Sequence, residues 1–583
     1  MTRIGVGATE THERPNITPR ERDTNSMKIR AALWYLGLLV ALLQAWAFRH
    51  VISPDAISYL DIAQRCARGN WHSLVNGYWS PLYPLFLSAV FRIVKPSAYW
   101  ESTVAHFANV AIFVFAFACF EFLLAMILRA NRKREEARFP LAEPWMWLVG
   151  DCLFVCYALL FNSVSEVHPD LCLEGLIFLA AGLLVRIRSS DARWGGYALY
   201  GAALGISYLD KGVMFPISFI FLGCCFFSVK PLTKSALRTI VAVGCFVAVA
   251  SFLIWPLSRE KHRFTFGDTG KIAYAEFVDG ATRYIHWRGG PDGVGHPVHP
   301  TPQLLTTPPV FEFAKPIGGT YPPWYDPSYW YAGIVPAFRL GNQLRAIRYT
   351  IEEYAGVLPY FGPVLAAFLC LSFLGGPGEP VRRNLLNEWQ LWIPALAGLG
   401  VYALVYVESR LVAPFLLLAC VALFASLRFP DTDATRMIQR AMSVALAAVL
   451  CAGIGWLGAR SVFRAVSPEP FTDWQVAEGL ERRGVEPGDK IASMGYSLNA
   501  YWAHLAGVRI VAEIPMGAAS EYWSCSPRIK SEILGDFAAV GAKAVVTDQG
   551  PPNGSNDNWA RIGQTGHFVH IISSAADGRS TSQ

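Results

Sequence analysis

Eleven apolar runs punctuate this chain, and they decide its fold class. They lie at about 31–51, 103–128, 145–163, 169–187, 196–210, 212–229, 237–257, 353–375, 388–407, 411–427 and 438–459. About 20 apolar residues in a helix cross the ~30 Å hydrocarbon core of a bilayer. Of 583 residues, 53% are hydrophobic and 16% charged, a balance too apolar for a soluble protein of this size. The expectation is a polytopic α-helical membrane protein. The runs at 196–210 and 212–229 are its weakest step, being short and joined at Lys211. The AWA at 45–47 resembles a signal-peptide cleavage site. A long polar segment precedes the first run and more runs follow, so a retained anchor is expected.

The connections alternate in charge. One set is short and basic: RANRKREEAR (129–138), RIRSSDAR (186–193), KPLTKSALR (230–238), Arg382 with Arg383, and Arg428 to Arg440. The positive-inside rule puts these in the cytoplasm. The other set, 52–102, 164–168, the Lys211 junction, 258–352, 408–410 and everything from 460, then lies outside. This divides the chain into a disordered cytoplasmic tail at 1–30, a transmembrane domain at 31–459 with external loops at 52–102 and 258–352, and an extracytoplasmic domain at 460–583. The setting is the cytoplasmic (inner) membrane. No internal repeat is evident, so the inverted-repeat signature of many secondary transporters is missing.

From 470 the pattern changes. DWQVAEGLERRGV, NAYWAHLAG and SPRIKSEILGDFAAVGA read as helices, and KIASMG, VRIVAEI, KAVVTDQ and FVHIISS as strands. Alternating strands and helices predict a small α/β layer. No GxGxxG or P-loop follows a strand, which leaves nucleotide binding unsupported. Twelve cysteines show no CxxC or Cys/His spacing, so a zinc site has little support. Cys66 and Cys525 are the two in extramembrane segments, and one disulfide between them is left open.

The first external loop opens with SPDAISYLDIA at 53–63. Ser53 suits an N-cap, Pro54 the first helical position, and Asp55 the positive end of the helix dipole. On a helix Asp55, Ser58, Tyr59 and Ile62 share a face, while Asp61 is turned about 120° away. The two acids therefore do not form one catalytic pair. ARGNWHSLVNGYWSPLYPLFLSAVF follows, rich in Trp, Tyr and Pro. Such a segment suits the membrane–water interface, and Trp71, Tyr78, Trp79 and Tyr83 fit an anchoring role there. YPPWYDPSYWYAG (321–333) is aromatic enough to dip into that interface or to stack on a sugar. GHPVHP (295–300) reads as a loop.

The order Asp55-Ala56-Ile57-Ser58-Tyr59-Leu60-Asp61-Ile62-Ala63, then Gly69-Asn70-Trp71, Asn76-Gly77 and Pro81-Leu82-Tyr83-Pro84, resembles the first external loop of the GT-C superfamily. More closely it resembles the family 39-type bacterial transferases, related to protein O-mannosyltransferases and lipid A aminoarabinose transferases. SEVHPDLCLEGLIFLAAGLLVR (165–186) resembles their Pro-Asp-headed span. ALGISYLDKGVMFPI (203–217) resembles their G-x-x-x-L-T-K-G/P segment, with Lys211 at the lysine. VESRLVAPFLLL (407–418) resembles their E-x-R-Y-x-x-P segment through Glu408, Arg410 and Pro414, with Leu411 in place of Tyr. The resemblance runs over roughly 31–430.

That resemblance implies a GT-C-like fold of about 11 transmembrane helices. It also implies transfer of a sugar from a polyprenyl-phosphate donor to an acceptor hydroxyl on the outer face. Asp55 is then the expected general base of an inverting displacement. Lys211, Arg410 and more weakly Arg259 are the cations expected to hold the lipid phosphate. Tyr59, Asp61, Trp79, Tyr83, Glu166, His168, Asp170 and Glu408 are the expected pocket residues. Plainer readings stand beside these: Asp55 starts a helix, Lys211 pairs with Asp210, and Arg410 pairs with Glu408. Relatives often carry a second acid after the first, and Ala56 breaks that pair. No cofactor is therefore assigned, and a divalent metal is left open. The expected partners are the donor lipid, membrane lipids and a lipid, glycan or protein acceptor, with no nucleic acid. A flippase of lipid-linked saccharide and a non-catalytic envelope-assembly protein are the alternatives.

Overall fold

The computed structural model describes residues 19–133, 138–189, 193–282, 286–289, 294–374, 381–551 and 558–572. The expected tail at 1–30 lies largely outside them, and the first helix already begins at Pro19. In chain order the helices are α1 (Pro19–Ala47), α2 (Pro54–Ala67), α3 (Leu82–Val94), α4 (Ala98–Arg132), α5 (Glu143–Phe161), α6 (Asp170–Ser189), α7 (Trp194–Asp210), α8 (Met214–Ser228) and α9 (Leu232–Glu260). The late loop adds α10 (Thr269–Phe277), β1 (Gln303–Thr306), β2 (Pro309–Glu312), α11 (Pro322–Tyr325) and α12 (Pro327–Trp330). Then come α13 (Leu340–Val357), α14 (Gly362–Phe373), α15 (Val381–Asn387), α16 (Trp389–Ala403), α17 (Ser409–Ser426) and α18 (Asp433–Val466).

Every one of the eleven apolar runs falls on helix: α1, α4 to α9, the α13–α14 pair, and α16 to α18. Seven of these stretches are long and apolar enough to cross a membrane. The others are shorter or more charged. At 17 and 15 residues, α7 and α8 reach only about 26 and 23 Å. Their shortness leaves the connection 211–213 at the end of the bundle, where Lys211 is only partly buried.

The α7–α9 contact fixes that junction. Gly201 and Gly205 of α7 form a small-x-x-x-small stripe against α9. A Cβ on Gly201 would collide with the backbone carbonyl of Ala242, which no rotamer change relieves.

The C-terminal end is α19 (Thr472–Glu481), β3 (Lys490–Gly495), α20 (Tyr501–Leu505), β4 (Arg509–Pro515), α21 (Ala519–Ser524), α22 (Pro527–Ala539), β5 (Ala544–Thr547), β6 (Ala560–Arg561) and β7 (Phe568–Ile571). The sheet order is β1-β2-β4-β3-β5-β7-β6. Its centre, β4-β3-β5, is parallel and buried on both faces, as parallel strands require. One face packs Ala492, Met494, Val511 and Val545 against Tyr522, Ile533 and Phe537 of α21 and α22. The other packs Ile491, Ile510 and Val546 with Val476, Leu480 and Trp502, continuous with the core of the helical bundle. The tail does not build this sheet alone. β1 and β2 come from the late loop, and β2 pairs antiparallel with β4 through Phe311–Glu513 and Glu312–Ala512.

The α/β region docks on the bundle through aromatic rings. Phe471 stacks on His50 at 4.0 Å, and Tyr99 meets Trp474 edge-on at 5.1 Å. Cys66 and Cys525 are both free thiols, so the pairing left open above does not occur.

Gly201→Ala should lower the thermal midpoint of the detergent-purified protein by an amount matching about 1–3 kcal/mol of overpacking. Gly244→Ala on α9, where an added Cβ meets nothing, is the control. Equal midpoints for the two variants would refute close α7–α9 packing.

Candidate active site

Four helix ends meet at one place. Ser53 caps α2 by accepting from the Ala56 amide at 3.4 Å, with Pro54 following, so Asp55 sits in the first turn. Asp170 opens α6, Lys211 follows α7, and Arg410 lies in the first turn of α17. Arg410 is the centre. Its Nη2 donates to Asp55 at 3.2 Å and its Nη1 to Asp170 at 3.3 Å. Its Nε lies 3.0 Å from Glu408. Asp170 is also ion-paired with Lys211, through its other oxygen.

Asp170 is buried, and its carboxylate needs those cations: an unpaired charge there would cost several kcal/mol. Asp55, Lys211, Arg410 and Glu408 keep 27%, 24%, 21% and 37% of their side-chain surface, so a ligand can reach them. Lys211 thus turns to Asp170 and not to Asp210, which is buried beside Cys172.

His168 extends the cluster. Its Nδ1 lies 3.3 Å from the Asp170 amide nitrogen and 3.2 Å from the Asp170 carboxylate, and its Nε2 lies 3.4 Å from Glu166. The hydrogen bond with His168 holds the Glu166 carboxyl below its ordinary range, against the effect of burial. Asn109 of α4 pins this turn by donating to the Glu166 carbonyl at 2.7 Å, and Tyr83 donates to Asn109 at 2.9 Å. Tyr59 is buried beside them, edge-on to Trp79 and Tyr83. Trp79 donates from Nε1 to the Trp324 carbonyl at 2.9 Å.

Two expected residues lie elsewhere. Arg259 is exposed in the last turn of α9, and the cation that turns inward there is Lys261, bonded to Ser328 Oγ at 2.9 Å. Asp61 faces away from the cluster. It accepts the Thr320 amide at 2.6 Å and the Thr320 hydroxyl at 2.7 Å, and lies 2.8 Å from His504 Nδ1. The helical rotation between Asp55 and Asp61 accounts for this. The interfacial readings also need correction. Trp79, Tyr83, Tyr321, Trp324, Tyr325 and Trp330 are buried, because the 321–330 segment packs on α2: Ser58 Oγ donates to the Trp324 carbonyl at 3.0 Å.

His504, Glu101, Asn109 and Thr320 were not singled out by sequence. His504 Nε2 lies 3.3 Å from both Glu101 oxygens, and Gln64 donates to Glu101 at 2.6 Å. The His–Glu pair spans 403 residues, so no local pattern marks it. Burial alone would lower the pKa of His504, but Glu101 and Asp61 outweigh it and push it up to about 10.

Among the described residues no three His, Cys, Asp or Glu side chains form a metal-holding group. Asp55 and Asp170 are both engaged by Arg410, and Ala56 offers no ligand, so these side chains do not fit a metal.

Long helices with a charged cluster at their ends and an α/β region docked beside it define a polytopic α-helical membrane protein. The chain shares its fold with ArnT from Cupriavidus metallidurans bound to undecaprenyl phosphate: TM-score 0.51, 10% identity, covering 96% of this chain and 99% of the other. At this identity the likeness is one of fold. ArnT in the apo state and the Archaeoglobus fulgidus oligosaccharyltransferase in the apo form align at 0.42 and 0.44, each 13% identical. They cover 95% and 88% of this chain and 98% and 69% of their own lengths, and these looser matches carry no weight below. No protein-family model matches the sequence, and no curated protein does.

The His504 network gives a pH dependence with a definite sign. The imidazolium is bound more tightly folded than unfolded, where its pKa is 6.5. Its stabilisation is complete below about pH 6.5 and is lost as pH rises toward 10. The groups facing it are Asp61 of α2, Glu101 of α4 and the stacked ring of Tyr501. The thermal-midpoint margin of wild type over His504→Gln should therefore shrink from pH 6.5 to pH 9.5. A margin constant across that range would refute a charged His504.

Proposed function

We propose that this protein transfers a sugar from a polyprenyl-phosphate carrier to an acceptor hydroxyl at the outer face of the cytoplasmic membrane. The observation that carries this reading is the meeting of Asp55, Asp170, Lys211 and Arg410, from four helix ends, in one solvent-reachable cluster. The basic connections on the opposite side support an outward-facing cluster, with the N-terminus cytoplasmic and the α/β region outside. The shared fold with a protein solved with undecaprenyl phosphate supports a lipid-phosphate donor.

The chemistry is a single displacement. The acceptor oxygen forms a bond to the anomeric carbon as the bond from that carbon to the phosphate oxygen breaks. The electron pair leaves with the phosphate, and the hydroxyl proton passes to Asp55. Arg410 and Lys211 stabilise the charge that builds on the departing lipid phosphate. Glu166 and Glu408 line the approach of the sugar, with the buried His168 and Tyr59 behind them. Asp170 is spent holding the two cations and takes no proton.

Removing a general base typically costs 10²–10⁴-fold in rate. Asp55→Asn should lower kcat by about that factor in purified protein, with normal membrane insertion. Full turnover by this variant would sink the assignment. Lys211→Gln, made together with Asp170→Asn so that no buried charge is stranded, should weaken polyprenyl-phosphate binding about tenfold or more. A folded double variant with wild-type affinity would remove Lys211 from the phosphate site.

A further inference from the structure

The α/β region has no assigned role, and one helix connects it to the cluster just described. α2 carries Asp55 at its first turn, toward Arg410. Six residues on, about 9 Å along the axis and about 120° around it, α2 carries Asp61. Asp61 faces Thr320 of the late loop and His504 of the α/β region. The Thr320 carbonyl in turn accepts the Ile510 amide of β4 at 2.9 Å. Gln64, one turn beyond Asp61, bonds to Glu101 and lies 3.2 Å from His504 Nε2. α2 is also held by Ser58 on the Trp324 carbonyl and by Ser73 on the Ile62 carbonyl.

We infer that the α/β region is a positioning module: His504 fixes the placement of α2, and through it the placement of Asp55 against Arg410. The inference rests on the proposed role of Asp55. Its physical basis is charge. Asp61 and Glu101 keep only 10% and 4% of their side-chain surface, and His504 is the cation between them. Without it, two buried carboxylates lose the cation between them, and α2 is the shorter of the elements that carry them: it has 14 residues, whereas Glu101 sits on the 35-residue α4. Lys211, Asp170 and Arg410 lie on other elements and keep their own contacts.

His504 is thus a positioning residue, and its loss should separate rate from binding. In His504→Asn the amides of the first half of α2 should exchange hydrogen about tenfold faster, with α6 and α17 unchanged. The kcat for lipid-linked sugar should fall at least tenfold while affinity for polyprenyl phosphate stays at the wild-type value. Adding Glu101→Gln removes the facing charge and should restore much of both, and this double variant serves if the single one fails to fold. Unchanged exchange in α2, or parallel losses of rate and phosphate binding, would overturn the inference. A wild type inactive on every lipid-linked sugar would sink the proposed function, and the exchange measurement would still decide the coupling.

Discussion

The architecture depends on one buried carboxylate. Asp170 starts α6 where the chain has just left a tight turn, and its charge is compensated by two cations brought from 41 and 240 residues away. Buried ion pairs are weak contributors to net stability, because desolvation offsets most of their attraction. Their consequence is geometric. Once Asp170 is paired, Lys211 is held at the α7–α8 junction and Arg410 at the head of α17. On the proposed reading, two cations fixed in this way are placed to stabilise the charge of a phosphate leaving group.

Much of this was legible in the sequence for simple reasons. Hydrocarbon thickness is a hard constraint, so apolar runs of bilayer length had to be helices. A helix turns 100° per residue, so Asp55 and Asp61 had to part. Lys211 and Arg410 stood out because they match the lysine and arginine of the segments that this chain resembles and fall at outer span ends. Where the reading fell short, the missing information was tertiary. Arg259 and Lys261 are both basic residues at the end of α9, and only the path of the chain beyond it decides that Lys261 finds Ser328. The aromatic segment 321–330 has the composition of an interfacial belt, and nothing local says that α2 and the first loop cover it. QLLT and PVFE are too short to show a period, so their addition to the C-terminal sheet was invisible.

The sheet addition matters for how the parts act together. Because β2 pairs with β4, the late loop is stitched into the α/β region before it passes back over α2. Thr320 lies on that return path, and it contacts Asp61 with both its amide and its hydroxyl. The late loop, the α/β region and α2 therefore share one polar junction, while the aromatic contacts of Phe471 and Trp474 supply the apolar part of the docking surface. Apolar contact of this kind is non-directional; the charged junction sets the register.

On the proposed reading, the Asp55–Arg410 pair also sets an order of events. Asp55 is held by the Arg410 Nη2 donor at 3.2 Å. The phosphodiester of the donor carries one negative charge, as Asp55 does, and offers oxygens that match the guanidinium fork. Phosphate arrival then competes for the Nη2 donor that Asp55 uses, and releases the carboxylate toward the acceptor. Asp170 keeps its own hold on Arg410 through Nη1, so the guanidinium stays in place while its partner on Nη2 changes.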